Sequence, residues 1–140
     1  MRTTFDRIRH ALSFEIIALM IVTPLGAWGF ATPMQEMAVV TLTSATIATL
    51  WNYAYNLMFD HALLRLGRPL FKTIPIRILH AILFEAGLLT ILLPFIAWYL
   101  AIGLRAAFLM DVSFSAFYLV YAFAFNWAYD VIFPLPTHQN

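Results

Sequence analysis

The sequence predicts an all-α membrane protein of four transmembrane helices, built as two tandem helical hairpins of equal orientation with both termini cytoplasmic. Three observations predict it. The 140 residues are 63% hydrophobic and 11% charged, against about 45–50% and about 25% in an ordinary soluble domain. Four runs of 18 to 23 residues contain no Asp, Glu, Lys or Arg. The chain also aligns with itself, without a gap, when shifted by 70 residues.

A chain this small buries only about two-thirds of its surface on folding, so the apolar surplus must meet lipid. That excludes a soluble enzyme, a disordered chain and a disulfide scaffold. A net charge of +1 argues against nucleic-acid binding, which needs a basic face. Without cysteine there is no thiol catalysis and no zinc–thiolate site.

The charge-free runs are Ile16–Gln35, Met37–Phe59, Ala86–Leu104 and Val112–Tyr129. About 20 apolar residues in a helix cross about 30 Å of hydrocarbon, and helix is the form that satisfies its own backbone there. The first run follows Arg2, Arg7 and Arg9 as a signal peptide would. It is long for that role, Glu15 would sit inside a signal peptide's hydrophobic part, and the pattern has a counterpart mid-chain, so it reads as a retained span. Four spans and short connections fill these residues and leave no room among them for a soluble domain.

Basic residues give the orientation. Arg2, Arg7 and Arg9 precede span one, and Arg65, Arg68, Lys72 and Arg77 separate spans two and three; only Arg105 lies in the other loops, with Glu36 and Asp111. The positive side faces the cytoplasm. Trp28 and Trp98 fall near the far ends of spans one and three, where interfacial Trp belongs.

The self-alignment has 16 identities in 70 positions. Arg7–Glu15 matches Arg77–Glu85, Pro24 matches Pro94, and Ala54, Asn56 and Asp60 match Ala124, Asn126 and Asp130. Residues 1–70 and 71–140 are therefore read as two hairpin repeats related by an axis along the membrane normal, forming an antiparallel four-helix bundle bent at the two prolines.

Ionisable residues in spans are functional candidates by default. Glu15 and Glu85 each lie eight residues beyond an Arg of the basic flank, about 12 Å along a helix. An ionised carboxylate there costs up to about 3 kcal/mol, which protonation removes. Asp60 and Asp130 end spans two and four, where the helix dipole disfavours an unpaired anion; Arg7, Arg77, His10 and His80 are at matching depth as partners. Asn52, Asn56 and Asp60 share one helix stripe, repeated by Asn126 and Asp130. Buried Asn joins membrane helices by hydrogen bonds or lines a polar cavity. Trp51, Tyr55 and Phe59 form a neighbouring stripe, as do Tyr121, Phe125 and Tyr129. Their rings pack the spans, and beside carboxylates they suit organic cations. His10 and His80 read as interfacial contacts or pH-sensitive ones. No metal-ligand cluster, phosphate loop or nucleophile motif is present, so neither a cofactor nor an enzymatic site is expected.

The paired R-x-x-H-A-x-x-F-E segments, each followed by an aromatic-Asn-Asp segment, resemble the proteobacterial antimicrobial compound efflux (PACE) family, whose members carry two bacterial transmembrane pair domains. All four motifs are present, in order, at Arg7–Glu15, Trp51–Asp60, Arg77–Glu85 and Tyr121–Asp130. The resemblance implies an inner-membrane exporter of cationic biocides and dyes such as chlorhexidine and acridines, with short-chain diamines as native substrates and protons as the coupling ion. It implies that Glu15 is the essential acid. The residues by themselves also admit a channel, or a non-transporting subunit that binds a partner protein; both a homodimer and a monomer are compatible with two repeats in one chain.

Overall fold

The computed structural model describes residues 2–135. They form four helices: α1 (Thr4–Gly29), α2 (Met34–Arg65), α3 (Ile74–Leu100) and α4 (Leu104–Ile132). Local sequence sets their ends. Thr3 caps α1 by accepting the Asp6 amide at 3.1 Å, and Asp6 in the first turn opposes the positive end of the helix dipole. α3 opens on a proline in its first turn, where the missing N–H costs nothing. α1 and α3 stop at matching alanines, Ala31 and Ala101, both in the left-handed region (φ 48° and 52°). In each case the following amide bonds back to the last turn, Thr32 to the Ala27 carbonyl and Ile102 to the Ala97 carbonyl. Pro24 and Pro94 are accommodated inside continuous helices.

α1, α3 and α4 are long and apolar enough to cross a membrane. At 32 residues α2 is the longest; it falls short in apolarity, because Thr41, Thr43, Ser44, Thr46, Thr49, Asn52 and Asn56 share its length. Several of these satisfy themselves within the helix: Thr41, Thr46 and Thr49 donate to carbonyls one turn back. Outward-facing Met20, Leu119, Val120 and Phe123 are all at least 70% exposed, as expected where lipid is the solvent.

The helices build two compact units that differ from the two sequence repeats. The first takes residues up to Thr41 and from Val112 on; the second is Leu42–Asp111. α2 and α4 therefore each pass from one unit to the other. In the first unit, α1 runs antiparallel to the C-terminal part of α4, so the first motif packs on the fourth. In the second, α3 runs antiparallel to the C-terminal part of α2, so the third motif packs on the second.

Each unit has its own buried stripe: Ala18, Val22 and Gly26 on α1, and Leu88, Leu92 and Ile96 at the same repeat positions on α3. Side-chain volumes are exchanged between them. Gly26 is small where fully buried Met37 comes close, and a Cβ on it would meet the Met37 sulfur at 3.0 Å. At the equivalent positions Ile96 is large and Ala107 small, both fully buried. The repeats thus preserve packed volume.

The helix break expected around Asp111 is absent. Only Ala101–Gly103 separate α3 from α4, and Asp111 lies two turns inside α4, 5% exposed. A charge ends an apolar run in sequence, but it does not end a helix.

Candidate functional site

At the basic end of the first unit, Asp6 gathers three groups. Arg2 donates to its carboxylate at 2.7 Å, Arg9 at 2.5 Å and the Tyr129 hydroxyl at 2.7 Å. Arg9 also donates to the Tyr129 hydroxyl at 3.0 Å, and its guanidinium lies 3.8 Å from the Phe133 ring centroid. Arg2 reaches on to pair with Asp130. The network ties the start of α1 to the end of α4.

Deeper in this unit, His10 bonds the Asn126 side-chain oxygen at 2.8 Å and meets Tyr129 and Phe125 edge-on at 4.6 and 5.3 Å. One turn further, the Tyr121 hydroxyl donates to the Phe14 carbonyl at 2.7 Å. The Phe14 ring packs against Tyr121 and Phe125 at 4.9 and 5.3 Å. Glu15 follows, half-buried. Its charge acts on the hydroxyls of Tyr118 and Tyr121. Among the described residues no hydrogen bond or ion pair reaches its carboxylate.

The second unit repeats the frame with different furniture. His80 bonds the Asn56 oxygen at 3.0 Å and meets Phe59 and Tyr55 edge-on at 4.7 and 4.9 Å. The Tyr55 hydroxyl donates to the His80 carbonyl at 2.8 Å, and the Trp51 indole N–H to the Phe84 carbonyl at 3.1 Å. The indole lies so close over α3 that a Cβ on Gly87 would overlap it. Asn56 also donates to Asn52 within α2. Asp60 pairs with Lys72 at 3.5 Å. Beside them Leu70, Phe71, Lys72, Arg77 and His80 line an open bowl of about 650 Å³. Glu85 is exposed, and its charge acts on buried Asp111.

The structure thus brings together Glu15, His10, Tyr121, Phe125 and Asn126 in one unit, and Trp51, Tyr55, Asn56 and His80 in the other. It corrects the partners expected for the aspartates. Asp130 goes to Arg2 and Asp60 to Lys72, which are themselves repeat-equivalent positions. The histidines instead take the asparagines, and Arg77 donates to the Lys72 carbonyl. Arg7 is exposed. The expected Asn glue is present, as α1–α4 and α2–α3 cross-links, since Asn56 and Asn126 each join a facing helix through His.

Sequence reasoning passed over Asp6, Asp111 and Tyr118. Asp6 has no repeat counterpart, its equivalent being Ile76, and Asp111 stood at the edge of a charge-free run. Tyr118 sat among apolar neighbours with nothing to single it out except its spacing of three from Tyr121, which shares its helix face. Among the described residues no cluster of His, Asp or Glu fit for a metal ion occurs.

Comparison with known proteins agrees with this frame. A family model described as chlorhexidine efflux transporter matches twice in tandem, over residues 2–65 and 72–135. A relative from Vibrio parahaemolyticus named short-chain diamines transporter is 36% identical over 132 residues, covering 94% of this chain and 93% of its own length. Relatives of the same name from Acinetobacter baylyi and Acinetobacter baumannii are 34% and 36% identical over 126 residues, covering 90% of this chain and 88% and 86% of theirs. No solved structure matches the chain. Two family matches on two sequence repeats, with all four motifs inside them, place this multi-pass membrane protein in the proteobacterial antimicrobial compound efflux family, whose members are transporters and not enzymes.

Proposed function

We propose that the protein is a proton-coupled antiporter that exports cationic compounds, among them chlorhexidine, acridine dyes and short-chain diamines, across the bacterial inner membrane. The observation that carries this reading is Glu15: a half-buried carboxylate on a membrane-spanning helix, beside tyrosine hydroxyls, with no ion pair among the described residues. In lipid such a group favours either a proton or a bound cation. Ionised, it attracts an organic ammonium, whose apolar body the rings of Phe14, Tyr121 and Phe125 accept. Protonated, it no longer does. The two ligands then compete for one carboxylate, and a site open to alternate sides exchanges them.

The remaining assignments follow from that one. α2 is the fourth span; Thr41, Thr46, Thr49 and Asn56 bond within it, Thr41 also meets Thr23 of α1, and Asn56 meets His80 of α3. The basic ends face the cytoplasm with both termini, and residues 1–70 and 71–140 are the repeated hairpins. As substrate-pocket residues, Tyr121, Phe125 and Asn126 serve in the first unit, and Trp51, Asn52, Tyr55 and Asn56 in the second. Arg7, His10, Asp60, Arg77, His80 and Asp130 hold or gate the cytoplasmic ends. Glu85 is a second, non-equivalent carboxylate. No cofactor is required beyond the coupling proton, and both a monomer and a homodimer are compatible with the duplicated chain.

The test uses purified protein in proteoliposomes that hold a pH-sensitive dye under an imposed proton gradient. Adding chlorhexidine, an acridine or putrescine to the parent releases protons through exchange; Glu15→Gln and empty liposomes stay silent. Equal proton movement by Glu15→Gln and the parent would refute the assignment.

A further inference from the structure

Tyr118 is the one aromatic hydroxyl near Glu15 that the fold leaves unused. Its oxygen is buried and has no hydrogen-bond partner among the described residues. Its neighbour Tyr121 is engaged with the Phe14 carbonyl at 2.7 Å. The Glu15 charge acts on Tyr118, and no hydrogen bond or ion pair reaches the Glu15 carboxylate among the described residues. Two polar groups that native proteins ordinarily pair therefore lie within electrostatic reach of each other and bond to nothing in the described chain. Rings surround them: Phe117, Tyr121 and Phe14 stand 5.4, 6.3 and 6.4 Å from the Tyr118 ring.

The other repeat lacks this arrangement. The position equivalent to Tyr118 is Ala48, and Glu85 instead acts on a second acid, Asp111. The unused hydroxyl is a property of one unit.

We propose that Tyr118 is the second polar ligand of the cation bound at Glu15, its oxygen accepting an N–H of a primary ammonium whose charge the carboxylate balances. This rests on the reading of Glu15 given above and narrows it. A phenol oxygen has lone pairs to offer an N–H, and a quaternary ammonium has no N–H to give. The site prefers amines that carry N–H groups, such as short-chain diamines, over quaternary cations of equal charge, for which the phenol stays buried and unpaired.

The experiment measures calorimetric binding of putrescine and of its fully N-methylated analogue to the full-length protein in detergent, for the parent, Tyr118→Phe and Glu15→Gln. The parent binds putrescine more tightly than the methylated analogue. Tyr118→Phe weakens putrescine by about 10- to 100-fold, the size of a hydrogen bond to a charged group, and leaves the methylated analogue unchanged. A purely structural role for Tyr118 would weaken both ligands alike, and that result, or no change for putrescine, overturns the proposal. So does a parent that fails to discriminate, a result that needs no variant to fold. Putrescine binding to Glu15→Gln at parental strength instead overturns the underlying reading of Glu15, whatever Tyr118→Phe does.

Discussion

Glu15 and Glu85 occupy identical positions in two repeats and sit in opposite surroundings. Glu15 is half-buried and acts on tyrosine hydroxyls; Glu85 is exposed and acts on the buried carboxylate of Asp111. The frame around each is the same. A His takes an Asn across the helix pair, and an aromatic N–H or O–H donates to the carbonyl of the Phe that precedes the Glu. Duplication preserved the bonds that align the helices. The side chains that face the carboxylate diverged: Tyr118 against Ala48, Tyr121 against Trp51, Thr41 against Asp111. The lesson is that a repeated motif fixes a scaffold twice but need not make two equal sites.

The most direct way to break this comparison is to neutralise each acid. Glu15→Gln should abolish substrate-driven proton movement in proteoliposomes, whereas Glu85→Gln should retain it at a level at least about tenfold higher, one hydrogen bond to a charged group being worth that much. Equal loss in both variants would make the two sites functionally equivalent and void the contrast.

A second test sharpens the packing side. Gly87 lies under the Trp51 indole, while the equivalent Ile17 is exposed. Gly87→Leu must displace a rigid ring, and overpacking of that kind costs about 1–3 kcal/mol. Replacing exposed Ile17 by Ala should stay within about 0.5 kcal/mol. Thermal unfolding in detergent, followed by helical circular dichroism, reads both.

The smallest expected effect concerns the ends of the units. Arg2 bonds Asp6, Asp130 and the Phe133 carbonyl, while Lys72 pairs with Asp60 at 3.5 Å and lies 5.7 Å from the Phe59 ring centroid. Exposed ion pairs contribute about 0–1 kcal/mol, with networks at the upper end. Arg2→Ala should therefore lower the unfolding temperature more than Lys72→Ala, and the gap should shrink as salt is raised. A larger effect from Lys72→Ala would show that the Asp6 network does not bind the chain end.

Much of this was legible in the residues alone. Charge-free runs placed four helices, since hydrocarbon tolerates neither free charge nor unbonded backbone. The match of Arg7–Glu15 to Arg77–Glu85 marked the duplication, and the acids within it marked the candidate site. The apolarity of α2 was overstated, because a run free of charge can still be rich in Thr and Asn that bond within their own helix.

The sequence by itself determined the helices, their duplication and the presence of an acid in the N-terminal half of α1. Only the tertiary structure decided which motif meets which. The first packs on the fourth and the third on the second, so the partners of Asp130 and Asp60 are Arg2 and Lys72, Asp111 is interior, and Tyr118 comes to Glu15. The physical reason is the solvent. In lipid every helix face is apolar enough to point outwards, so hydrophobic periodicity cannot name the inner face, and pairing is set by close packing and a few hydrogen bonds. Those depend on side-chain shape in three dimensions, as Gly26 against Met37 and Gly87 beneath Trp51 illustrate.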